Sequence, residues 1–136
     1  MEVIRQKIGR IREHLAQIDT MRGDCEKRFV ADPIFRGAML HYLYLLTDSC
    51  ISLAEMVIRQ QGLRLPQSYH EAFDILGASG VIERNFAYDF ARIAGMRNFL
   101  AHDYEKIEAV VICGQVLAKV DDVHEYLSQI EAALGF

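Results

Sequence analysis

The sequence predicts an all-α protein, an antiparallel bundle of four or five helices built as a single domain over residues 1–136. Two observations carry this. Apolar residues recur at spacings of three and four through most of the chain, and helix start and stop signals divide it at intervals too long for strands. With 51% hydrophobic and 25% charged residues, the 136-residue chain falls in the globular range and supports one proper core.

The first helix is expected from about Glu2 to Met21, because Val3, Ile4, Ile8, Ile11, Leu15 and Ile18 form one stripe while Arg5, Arg10, Arg12 and Glu13 lie mostly off it. Gly23 and Asp24 interrupt it. Asp32-Pro33 reads as an N-cap followed by proline at the first helical position, and starts a second long helix that runs to Gln61-Gly62. Its apolar residues, from Phe35 and Met39 through Leu53 and Ile58, are so widely distributed that the helix must be covered on more than one side. Ser68 caps a short third helix, with Glu71 completing a capping box and Tyr69, Phe73 and Leu76 expected to point inward. Gly77-Ala78-Ser79-Gly80 stops it. A fourth helix is expected over Glu83–His102 and a fifth over Lys106–Leu134, although the β-branched run Ala109-Val110-Val111-Ile112-Cys113 also fits a strand.

The bulk properties narrow the function. A formal charge of −4 excludes a broadly basic surface, so nucleic-acid binding would need a local cluster. No apolar run approaches the roughly 20 residues that span a bilayer, and Met1-Glu2-Val3-Ile4-Arg5 does not open a signal peptide, so a cytoplasmic protein without membrane association is expected. Cys25, Cys50 and Cys113 are odd in number and widely spaced, and are expected as reduced core thiols. His14, His41, His70 and His124 lack metal-ligand spacing and are read as structural, and the run Asp121, Asp122, His124, Glu125 is read as a solvated face. Neither metal nor cofactor is expected. Arg5, Lys7, Arg10 and Arg12 could guide RNA, but Glu2, Glu13 and Asp19 partly cancel them and a charged solvent face is the simpler reading.

One segment carries chemistry: Arg97-Asn98-Phe99-Leu100-Ala101-His102-Asp103-Tyr104. At about 100° per residue, Arg97, Asn98, His102 and Tyr104 share one arc of a helix, and Ile93, Met96, Phe99 and Leu100, with Asp103 among them, occupy the opposite arc. The polar arc also holds the small residues Ala94, Gly95 and Ala101, which would let a second backbone come close. A homodimer with two copies of the constellation meeting at a two-fold axis follows as an expectation. Cleavage of an RNA phosphodiester by its own 2'-hydroxyl needs a proton taken, a proton given and negative charge stabilised. Histidine titrates near neutral pH and can do either proton transfer, and the arginine fork matches phosphoryl oxygens. Two His102 side chains could divide the proton transfers, with Arg97 stabilising the phosphorane and Asn98 orienting the scissile group. Asp48, on the second helix, is a candidate supporting residue, with a solvated position as its alternative. The competing reading makes Arg97 solvated, lets Asn98 and His102 end a helix and packs the Tyr104 ring in the next turn.

The string RNFLAHDY resembles the signature of HepT-like proteins of the HEPN superfamily: Arg, four residues beginning with Asn, His, one residue, Tyr. The stretch Pro66-Gln67-Ser68-Tyr69-His70-Glu71-Ala72-Phe73-Asp74-Ile75-Leu76, then Gly80-Val81-Ile82, is similar to what precedes that motif in the family. The resemblance implies the toxin of a toxin–antitoxin pair, a metal-independent endoribonuclease acting as a homodimer, with Arg97 and His102 catalytic. Its partner would be a small nucleotidyltransferase antitoxin that transfers AMP from ATP to Tyr104. The superfamily also contains non-catalytic modules, so a nucleotide-binding or adaptor protein that partners a nucleotidyltransferase is the alternative.

Overall fold

A computed structural model describes residues 1–102 and 107–136. Among them it contains α1 (Glu2–Asp19), α2 (Cys25–Ala31), α3 (Pro33–Gln60), α4 (Tyr69–Ala78), α5 (Arg84–Phe90), α6 (Arg92–His102), a π-helical turn (Val111–Val116) and α7 (Leu117–Leu134), with no strand. None of the helices is long and apolar enough to cross a membrane.

Helix α3 is the axis of the molecule, and α1, α2, α4 and α6 pack against it. Its start follows from Asp32, whose carboxylate accepts the Ile34 and Phe35 N–H groups at 3.0 and 3.2 Å, with Pro33 supplying a first residue that has no N–H to satisfy. Helix α1 buries the stripe Ile4, Ile8, Ile11, Leu15 and Ile18. The same stripe also buries His14, which is 8% exposed and lies with Nδ1 3.4 Å from Gln17 Oε1. Tyr126 of α7 reaches into α3, donating its hydroxyl to the Cys50 carbonyl at 2.8 Å, and its ring meets Phe90 and Phe73 at 4.6 and 5.8 Å between centroids. This aromatic cluster is the centre of the core.

Ser68 caps α4 through the Glu71 N–H at 3.0 Å. Glu71 closes the box one residue earlier than expected, accepting from Gln67 N–H at 2.8 Å. Gly77 belongs to the helix rather than to its stop. A Cβ there would lie 2.7 Å from the Ala87 Cβ, so glycine is what lets α5 come this close to α4.

Three expectations are corrected. The single helix expected over Glu83–His102 is two, separated at Ala91. Phe90, Ala91 and Ile93 are all essentially buried, and the break turns both α5 and α6 toward the core, which one straight helix does not do with this spacing. The fifth helix expected over Lys106–Leu134 is a π turn over Val111–Val116 that buries Ile112, followed by α7 from Leu117, so Ala109–Cys113 does not take the strand alternative, and Lys106 lies outside the described residues. Cys25 and Cys113 are not reduced thiols: they form a disulfide with Cα atoms 5.8 Å apart, tying the start of α2 to the π turn across 88 residues of sequence. Cys50 alone is a free thiol, fully buried, and burial pushes its pKa well up.

Candidate active site

Helix α6 buries Ile93, Ala94 and Leu100 and thereby holds Arg97, Asn98 and His102 away from the core. Met96 and Phe99, on the arc expected to face the core, are only half-buried. Ala94 is therefore part of the protomer's own packing and does not belong to a free face, whereas Gly95 and Ala101 are exposed.

Arg97 is engaged on every branch of its guanidinium. Nε donates to Asp48 Oδ1 at 3.1 Å, Nη2 to the Tyr44 hydroxyl at 3.2 Å and Nη1 to Asn98 Oδ1 at 3.4 Å. Two aromatic rings flank the group, Tyr44 at 5.3 Å and Tyr69 at 5.2 Å to the centroids. Burial works against the charge, but the Asp48 hydrogen bond and the influence of Tyr44, Tyr69 and the Asp48 charge outweigh it, so the pKa of Arg97 is raised. The side chain is 18% exposed. The result is a permanent cation in a fixed orientation, still open to solvent on one edge.

Asp48, expected as a supporting residue, lies on α3 within hydrogen-bond reach of Arg97. Tyr44 and Tyr69 were not anticipated in this role. Tyr44 was open to prediction, since it lies one helical turn before Asp48 on the same face of α3. Tyr69 was expected to point inward with Phe73 and Leu76. Those two are fully buried, but Tyr69 is 38% exposed and turned onto Arg97.

His102 is the last residue of α6 and is exposed, and among the described residues no hydrogen bond holds its ring. Tyr104 and Asp103 lie outside the described residues. Two hollows border α6. One of about 330 Å³ lies toward α3, lined by Gly37, Leu40, His41, Tyr44, Leu100 and Ala101. The other, of about 540 Å³, lies toward the start of α4 and is bordered by Gln67, Tyr69, His70, Gly95 and Asn98.

Away from α6, the basic residues of α1 are largely engaged. Arg12 pairs with Glu131, Arg10 with Glu13 at 3.5 Å, and Arg5 covers the Phe136 ring at 4.3 Å. Among the carboxylates of α7, Asp121 pairs with Arg22 at 2.7 Å and Asp122 with Lys119 at 3.2 Å. His41, His70 and His124 are exposed on three different helices.

Residues 6–130 match the family model described as ribonuclease HepT-like. The chain belongs to the ribonuclease HepT-like family. The mRNA nuclease HepT of Shewanella oneidensis is 25% identical over 131 residues, which cover 96% of this chain and 98% of that one. A solved structure of the tri-AMPylated Shewanella oneidensis HEPN toxin in complex with MNT antitoxin is 25% identical and superimposes with a TM-score of 0.86, covering 97% of this chain and 98% of the toxin. A cytosolic protein of unknown function from Bacillus subtilis, YutE, shares the fold of this chain at a TM-score of 0.77 and 19% identity, covering 98% of this chain and 89% of that one.

Proposed function

We propose that this chain is a toxin whose activity is endoribonucleolytic and needs no metal, with Arg97 and His102 as the catalytic residues. The observation that carries the proposal is the anchored Arg97 on the same helix as an exposed His102. One supplies fixed positive charge and the other a group able to carry protons, the two functions that phosphodiester transesterification requires.

In the proposed reaction, a neutral His102 takes the proton of the RNA 2'-hydroxyl as its oxygen bonds to phosphorus. A protonated His102 from the second subunit gives its proton to the 5'-oxygen as the phosphorus–oxygen bond to it breaks. The products are a 2',3'-cyclic phosphate and a free 5'-hydroxyl. Arg97 faces the phosphorane with the donor edge left open by Asp48 and Tyr44, and Asn98 orients the scissile group. Exposed Gly95 and Ala101 support close approach of the second α6 in a homodimer.

The Shewanella toxin bears AMP in complex with its MNT antitoxin, and this supports the same control here. A nucleotidyltransferase antitoxin would direct the Tyr104 hydroxyl onto the α-phosphorus of ATP, releasing pyrophosphate and leaving AMP on the tyrosine. Bulk and negative charge two residues from His102 would then repel the substrate phosphate.

The test is incubation of the purified protein with RNA in EDTA, with mapping of the new ends. Cyclic phosphate ends that disappear in His102→Ala and Arg97→Ala are expected. Treatment with a nucleotidyltransferase partner and ATP should silence wild type but not Tyr104→Phe. Intact RNA after exposure to folded, dimeric wild type would overturn the proposal.

A further inference from the structure

The two rings that flank Arg97 differ in what else they meet. Tyr44 is spent on the guanidinium: its hydroxyl accepts from Nη2 at 3.2 Å and its ring lies beside the group. Tyr69 lies over Arg97 at 5.2 Å yet remains 38% exposed, and among the described residues its hydroxyl makes no hydrogen bond. The ring borders the hollow of about 540 Å³, within the size range of about 300–1,000 Å³ typical of small-ligand sites. Around the same hollow stand two carboxamides, Gln67 and Asn98, and the imidazole of His70. The Asn98 oxygen faces Arg97 at 3.4 Å, and among the described residues its amide N–H groups have no partner. Gly95 on that wall faces open space, with nothing within 4 Å of where a Cβ would stand.

A flat aromatic platform, adjustable amide donors and acceptors, and a fixed cation beneath the platform together match one chemistry, a nucleobase attached to a phosphate. Unpaired RNA bases are held by stacking on aromatic side chains and by hydrogen bonds to their edges. We infer that Tyr69 stacks an unpaired base of the RNA next to the scissile phosphate, and that Gln67 and Asn98 read the edge of that base. The inference rests on the ribonuclease reading for the identity of the nucleotide, because a phosphodiester on Arg97 leaves a neighbouring base within reach of the ring that covers it. The adenine of free ATP has the same stacking chemistry, and the substrate series below separates the two.

The subsite makes this end of α6 the specificity determinant. It predicts cleavage confined to single-stranded RNA, where a base can be splayed out of its stack, and a sequence preference at one position beside the cut.

The test is binding of a fluorescent 2'-O-methyl oligoribonucleotide, which cannot be cleaved, compared with the same strand carrying one abasic position scanned along it. Wild type should lose about tenfold in affinity when one particular base is missing. Tyr69→Ala should lose a similar factor on the intact strand and no longer distinguish the abasic one, while Tyr69→Phe, which keeps the ring, should recover both affinity and discrimination. Millimolar ATP should leave the strand bound, whereas displacement by ATP alone would assign the subsite to the free nucleotide. Equal binding by wild type and Tyr69→Ala, or equal loss by Tyr69→Ala on intact and abasic strands, would overturn the inference.

Cleavage of the unmodified strand is scored in parallel. Cleavage dependent on His102 without base coupling removes the subsite and keeps the ribonuclease. Coupling without cleavage does the reverse, and a strand neither bound nor cleaved by any of the proteins overturns both.

Discussion

Arg97 and His102 lie five residues apart on one helix and are held in opposite ways. Arg97 is fixed by Asp48, Tyr44 and Asn98 and flanked by two rings, all within one chain. His102 sits at the helix end, exposed, with no described residue hydrogen-bonded to its ring. A group that stabilises charge gains from being immobile before the substrate arrives. A group that moves protons must be oriented too, and among the described residues of the protomer none supplies the orientation. The difference locates what a second subunit or the substrate has to contribute: it completes the His102 end.

The largest effect should come from substituting the two residues proposed as catalytic, and it should differ in kind between them. His102→Ala should lower kcat by about 10²–10⁴-fold and leave the melting temperature alone, because surface changes of this sort stay within about 0.5 kcal/mol. Arg97→Ala should lower activity comparably and also destabilise the protein by up to about 1 kcal/mol, since it removes a part-buried hydrogen-bonded pair. Equal melting temperatures for the two variants would erase the contrast between the ends.

Next in size is the disulfide. Cys25–Cys113 fixes the chain eleven residues beyond His102, so it anchors the far side of the motif while leaving the Arg97 end untouched. Reduction, or Cys113→Ser, should cost about 2–4 kcal/mol of stability. Amide exchange should quicken over residues 107–116 and in α2, with Tyr44, Asp48 and Arg97 unchanged. Uniform quickening would mean that the two ends are mechanically one.

Asp48→Asn should have a smaller consequence, about a tenfold fall in kcat/KM, because it weakens the charge-assisted bond that orients the fork without removing the cation. Arg97→Lys should not substitute for the wild type, since an ammonium cannot reach Asp48, Tyr44 and Asn98 in one plane. Ser68→Ala should be the mildest change, loosening the cap beneath Tyr69 at about 1 kcal/mol or less of stability.

Where the sequence was explicit about the fold, the cause was local. The α1 stripe from Ile4 to Ile18, the Asp32-Pro33 start and the Ser68 cap each depend on residues within a turn or two and are present as expected, whereas Val3, read as the start of the stripe, is exposed. The break at Ala91 has no glycine or proline to mark it and comes from packing around Phe90, Phe73 and Tyr126, residues far apart in sequence. The disulfide spans 88 residues and lacks any framework of paired cysteines, so spacing argued against it. At the candidate site, Asp48 was legible as a polar residue on a mostly apolar helix. Tyr69 was misread because its spacing to Phe73 and Leu76 continues their buried stripe, and only the position of Arg97 across from α4 shows why the ring turns outward.

The central claim is that one active site needs both His102 side chains of a dimer. It is tested most directly by mixing wild type with His102→Ala in varied proportion, allowing subunits to exchange at constant total concentration, and measuring RNA cleavage. If both histidines are required, activity follows the square of the wild-type fraction, and an equal mixture keeps about a quarter of full activity. If activity follows the wild-type fraction linearly, each protomer acts alone and the shared-site account is wrong.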